Sequence, residues 1–201
     1  MNLMTFNCKS IQSTDRLLAL QTELTKLKKF DVLGLAETWL PGQTCCRLST
    51  GEFLYNSGKT GDSRFTGTGL LVSAEMNRQI IGVKYVSDRI IQVLLKMRAG
   101  KTLRITQVYA PQSGRGEDEY DTFLDLLSSS LARPSTYDII LGDFNASTGP
   151  RENGERFIAV PHERVFQKRK KSPLDLAFTG PKCEKGNRLC ADKEEEDYRR
   201  C

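Results

Sequence analysis

Ile139-Ile140-Leu141-Gly142-Asp143-Phe144-Asn145-Ala146 is an apolar strand that ends by presenting an acid and an amide two residues apart. Strand side chains alternate between faces, so Asp143 and Asn145 are expected to point the same way, with Gly142 leaving room for a bulky group. A second apolar segment, Phe30 to Ala36, ends similarly in Glu37. Two carboxylates, one after each strand, are what a divalent-metal phosphoester site needs. They offer hard oxygen ligands for Mg²⁺, and a polar group beside them can orient the attacking water.

Working outward, the chain alternates strands and helices up to about residue 147. Met1 to Phe6 is a short apolar strand. Ser13-Thr14-Asp15 supplies capping oxygens ahead of a helix whose Leu17, Leu20, Leu24 and Leu27 recur at helical spacing. After the strand Phe30 to Ala36 and a Pro41-Gly42 turn come β-rich segments at Glu52–Asn56, Gly69–Ser73, Gln79–Tyr85, Ile90–Met97 and Leu103–Tyr109. Glu117 to Leu131 reads as an amphipathic helix carrying Tyr120, Phe123, Leu124, Leu127 and Leu131. It leads past Pro134 into the strand Tyr137–Leu141. Beyond Ala146 the pattern changes. Lys168–Lys171 and Asp192–Arg200 are dense in charge, and Pro173-Leu174-Asp175-Leu176-Ala177-Phe178 is the one apolar island between them. The last twenty residues are expected to be disordered.

Composition narrows the class. With 201 residues, 38% hydrophobic and 27% charged, the chain holds enough apolar material for a domain core, which excludes disorder of the whole. A net charge of +5 is compatible with a polyanionic partner. No stretch approaches the roughly 18 apolar residues of a membrane span, and the N-terminus opens directly into a strand without the pattern of a signal peptide. An intracellular protein, nuclear or cytoplasmic, is therefore expected. The six cysteines fit neither a disulfide framework nor a paired zinc motif, and adjacent Cys45-Cys46 reads as two thiols in a loop. Lys168-Arg169-Lys170-Lys171 has no interleaved aromatic and reads as a solvated loop, and His162 as a surface residue.

Five motifs occur in order: Asn7 after the first strand; Glu37 in Leu35-Ala36-Glu37-Thr38-Trp39-Leu40; the turn and strand Gly67-Thr68-Gly69-Leu70-Leu71; Tyr109 in Val108-Tyr109-Ala110-Pro111; and Gly142-Asp143-Phe144-Asn145-Ala146. Taken singly, each has an ordinary reading: a solvated acid, a strand ending at a turn, the cap of a helix. Together the set resembles the endonuclease/exonuclease/phosphatase superfamily, with the wording nearest to non-LTR retrotransposon endonuclease domains and craniofacial development protein 2-like proteins. The resemblance implies an α/β fold, a four-layer αββα sandwich of the deoxyribonuclease I type, and Mg²⁺-dependent hydrolysis of DNA phosphodiesters, with Mn²⁺ as a substitute cation.

By the same resemblance Glu37 would ligate the metal with Asn7 helping to hold it or its water, and Asp143 would orient or deprotonate the nucleophilic water. Asn145 and Tyr109 would donate to the phosphate. The superfamily's second half supplies further strands and a terminal Asp-His pair, and this chain contains no Asp-His dipeptide. Asp175 is the candidate acid of a diverged counterpart to one missing strand. The expected layout is residues 1–147 as the N-terminal part of the domain, 148–181 as its diverged remainder and 182–201 as a charged tail, with the second half incomplete. Two alternatives to the DNA endonuclease follow: a catalytically dead remnant that binds nucleic acid or a protein, and a phosphatase of the same fold.

Overall fold

In the computed structural model, residues 1–26, 30–61, 65–112 and 117–146 are described. Asp175, His162, Lys168–Lys171, Leu27 and the proposed divisions after residue 147 lie outside them. Among the described residues the strands form two sheets. The first has the order β1-β2-β5-β4-β3, from β1 (Leu3–Asn7), β2 (Val32–Ala36), β3 (Gln43–Arg47), β4 (Phe53–Ser57) and β5 (Thr68–Val72). The second runs β6-β7-β8-β9, from β6 (Ile80–Ser87), β7 (Ile90–Lys96), β8 (Thr102–Tyr109) and β9 (Tyr137–Asp143). Helix α1 spans Thr14–Lys26, a single turn α2 spans Ala74–Asn77, and α3 spans Glu117–Leu131.

Three apolar layers hold these elements together. Between the sheets, Val32, Leu70 and Val72 meet Val83, Ile91, Val93, Leu95 and Ile105. On the outer face of the first sheet, Leu33, Leu35 and Leu71 pack against Leu20 of α1, with Leu17 and Leu24 at the margin. On the outer face of the second, Ile90 and Val108 pack against Phe123 and Leu127 of α3. The sandwich is therefore α/β/β/α, the expected fold. Strands β2 and β5 are buried along their whole length, which explains their unbroken apolar sequence.

Helix α1 starts where Ser13 Oγ accepts from the backbone N–H of Arg16. At the far end of α3, the buried Arg104 guanidinium donates to the carbonyls of Ser130 and Leu131 and pairs with Asp138 at 2.6 Å. It thereby satisfies carbonyls that the helix leaves without partners. Burial alone would raise the Asp138 carboxyl, but hydrogen bonds from Arg104 and Ser135 and the Arg104 charge hold it below its ordinary value.

Two expectations change here. Cys45 and Cys46 lie in strand β3, paired with Tyr55 and Leu54 of β4, rather than in a loop. Gln43, Thr44 and Arg47 are exposed, so this edge strand lacks the apolar alternation that marks strands in a sequence, and its pairing with β4 makes it one. Leu124 is 42% exposed, outside the buried stripe of α3.

Most pairings are antiparallel, with two exceptions that matter: β1 lies parallel to β2, and β8 parallel to β9. Each parallel pair is the βαβ unit its crossover helix requires, β1-α1-β2 and β8-α3-β9. A parallel pair sends both strand ends in one direction. The C-terminal ends of β1, β2, β8 and β9 thus meet at one end of the sandwich.

Candidate active site

Those four strand ends carry four of the predicted residues. Asn7 is the last residue of β1, Glu37 follows β2 directly, and Tyr109 and Asp143 close β8 and β9 in register with each other. Across the gap between the sheets, Asn7 Nδ2 donates to Glu37 Oε1 at 2.8 Å and to Asp143 Oδ2 at 2.9 Å. One amide group therefore holds two carboxylates from different sheets side by side. Tyr109, 4% exposed, completes the group. Its phenol is raised above its ordinary value, first by burial and then by the Glu37 charge. The hydroxyl thus keeps its proton and is a donor.

The backbone around Glu37 is tightly fixed. Its φ of 58° lies in the left-handed region, which costs a side-chain-bearing residue roughly 1–2 kcal/mol. Loops from both sides hold it there: Ser10 N–H donates to the Glu37 carbonyl at 2.6 Å, and Thr38 N–H to the Gly67 carbonyl at 3.0 Å. Gly67 has φ +114°, and a Cβ there would stand 2.4 Å from Thr38 Oγ1, so the third motif, beside the acid, needs glycine at its first position. Cys8, next to Asn7, is no nucleophile. Burial pushes its thiol up to about 12, and its Sγ donates to the Ala36 carbonyl.

Asn145 sits differently from its sequence expectation. β9 ends at Asp143, so strand alternation no longer applies two residues on. Asn145 has φ 48° in a turn closed by its own N–H on Asp143 Oδ1 at 3.0 Å, and its Nδ2 donates to the Ala110 carbonyl at 2.7 Å. Its amide therefore ties the loop after β8 to the loop after β9. Gly142 is also re-read. With φ +148°, a Cβ would lie 2.1 Å from the Val108 carbonyl oxygen, so the room it leaves is taken by the neighbouring strand β8 and not by a ligand.

One neighbour of the site had no sequence signal. Arg89, in the turn between β6 and β7, places its guanidinium carbon 5.2 Å above the Tyr109 ring and pairs with Glu119 of α3 at 2.7 Å. In the sequence, Ser87-Asp88-Arg89 lies between the strand-like segments Gln79–Tyr85 and Ile90–Met97 and belongs to none of the five motifs.

The oxygen donors fit a hard divalent cation, since Glu37 Oε1 and Asp143 Oδ2 lie within the reach of a single amide. Among the described residues no group of three or more His, Cys, Asp or Glu side chains gathers to hold a metal. One or two carboxylates with water and phosphate oxygens completing the shell is the manner in which Mg²⁺ binds. Among the described residues no helix is long and apolar enough to cross a membrane.

The family described as Endonuclease/Exonuclease/phosphatase family matches residues 4–184. No curated protein matches the chain. Among solved structures, the Xenopus laevis APE2 catalytic domain is similar at 17% identity and a TM-score of 0.53, over 76% of this chain and 62% of that one. D. rerio TDP2 complexed with single strand DNA product gives 13% identity and a TM-score of 0.45, over 72% and 61%. The Bacteroides thetaiotaomicron mannosyl-6-phosphatase Bt3783 gives 14% and 0.44, over 73% and 66%. The chain thus spans less than two thirds of the length of each of these structures, and at these identities the likeness concerns the fold alone.

Proposed function

This chain belongs to the endonuclease/exonuclease/phosphatase family, and on that premise we propose that it hydrolyses phosphodiester bonds in DNA with a divalent cation, Mg²⁺ or Mn²⁺ in its place. The observation that carries the reading is the convergence of Asn7, Glu37, Tyr109 and Asp143 at the ends of two βαβ units. Glu37, supported by Asn7, would hold the cation, which when bound neutralises charge on the phosphate oxygens. The Asp143 carboxylate would take the proton of the attacking water or orient it. The Tyr109 hydroxyl would donate to a non-bridging phosphate oxygen as charge builds there. Asn145 would serve by fixing the Asp143 and Ala110 loops, with its second amide N–H facing the phosphate.

DNA is favoured over a small phosphomonoester by the net charge of +5 and by the Leu35–Leu40 and Val108–Pro111 segments, whose wording resembles that of retrotransposon endonucleases. The second reading is a remnant that binds DNA without cleaving it. Two substrates separate these readings. Turnover of bis(p-nitrophenyl) phosphate with none of p-nitrophenyl phosphate marks a diesterase, and the reverse marks a phosphatase. Steeply salt-dependent duplex binding without turnover marks the remnant.

A further inference from the structure

Arg89 touches Tyr109 at three points. Its carbonyl accepts the Tyr109 N–H at 2.9 Å, its Nη1 donates to the Tyr109 carbonyl at 3.3 Å, and its guanidinium lies over the phenol ring. The side chain is 13% exposed, and its Nη2 is anchored on Glu119 Oε1, a residue of α3 outside the cluster of strand ends. Arg89 is itself oriented by the turn, where its N–H donates to Ser87 Oγ at 3.1 Å. Tyrosine has two soft torsions, and a hydroxyl that must meet a phosphate oxygen within a few tenths of an ångström needs both held. Glu37 and Asp143 face the phenol from the strand-end side, and Arg89 covers the ring as the cation.

We propose that Arg89 is a positioning residue for Tyr109: its guanidinium, anchored by Glu119, clamps the ring and the adjoining backbone so that the hydroxyl stays aimed at the reacting phosphate. This rests on the reading of Tyr109 as a phosphate donor. The planar fork both stacks and donates, which a lysine ammonium cannot do in one geometry. Arg89 thus couples the packing of α3 on the second sheet to the geometry of the site.

The test is a double-mutant cycle on the full chain with Mg²⁺ and bis(p-nitrophenyl) phosphate, using Arg89→Gln, Tyr109→Phe and the pair, with Arg89→Lys and Glu119→Gln alongside. Arg89→Gln should lower kcat about tenfold with little change in KM, and should have almost no effect once Tyr109 is phenylalanine. Arg89→Lys should recover only part of the loss, and Glu119→Gln should show a smaller fall that also vanishes in the Tyr109→Phe background. Additive losses, or an unchanged kcat in Arg89→Gln, would overturn the proposal. A second cycle needs no substrate. In urea unfolding, the Arg89→Gln and Tyr109→Leu effects should be non-additive, because leucine removes the ring that the guanidinium covers, and additivity there overturns the clamp. An inactive wild type would count against the proposed function alone, and the unfolding cycle would then decide the clamp by itself.

Discussion

Glu37 carries the site's charge on a backbone that glycine would adopt more readily, and this gives a prediction with an unusual sign. At an ordinary position, replacing alanine by glycine destabilises by roughly 0.5–1 kcal/mol through the freedom of the unfolded chain. At φ 58° the alanine instead bears the left-handed penalty of roughly 1–2 kcal/mol. Glu37→Ala and Glu37→Gly lose the same carboxylate and the same bond from Asn7, so those losses cancel between them. Glu37→Gly should therefore be the more stable of the two by about 1 kcal/mol. With a urea dependence of about 2 kcal/mol per molar, its midpoint should lie about 0.5 M higher. The exposed Thr22 on α1 is the control, since there the order reverses and glycine falls below alanine. Both Glu37 variants should be inactive. A Glu37→Ala midpoint equal to or above that of Glu37→Gly would refute the claim that the site stores backbone strain to place its acid.

Three further outcomes follow from the packing. Gly142→Ala sets a Cβ 2.1 Å from the Val108 carbonyl and should part β9 from β8, lowering stability by about 2 kcal/mol or more and removing activity with it, as thermal unfolding and turnover would show. Arg104→Met strips the end of α3 of its donors and leaves Asp138 without its guanidinium partner; a loss of about 2–3 kcal/mol is expected in urea unfolding, with turnover per folded molecule preserved. The Asp138 carboxyl is held below its ordinary 3.8, so its contribution is present above that value and is lost as pH falls through the lower folded value. Asp138→Asn should flatten the acid limb of the stability–pH curve below about pH 4, by a modest amount because the side chain is 40% exposed and solvent screens the pair.

Much of the fold was legible because its strands are buried and apolar. Val32–Ala36 and Ile90–Lys96 announce themselves, and α1 and α3 show the helical repeat of leucines. Asn7, Glu37, Tyr109 and Asp143 were legible for a related reason, since each polar group interrupts or ends an apolar run at a strand's C-terminal end. What the sequence hid depends on tertiary contact. Strand β3 exists through its pairing with β4, and Asn145 turns because β9 has already ended. Gly142 serves the β8 backbone rather than a ligand, and Arg89 becomes informative only once β8 and α3 are brought beside it. No local pattern encodes a guanidinium meeting a ring 20 residues further on.

The central claim is that Glu37 and Asp143, held together by Asn7, form a cation-dependent phosphodiester site, and nicking of supercoiled plasmid tests it most directly. The wild-type chain should nick with Mg²⁺ and lose that activity on chelation, while folded Glu37→Ala and Asp143→Ala chains should not nick. A folded wild type that leaves the plasmid intact, or nicking that survives both substitutions, would contradict it.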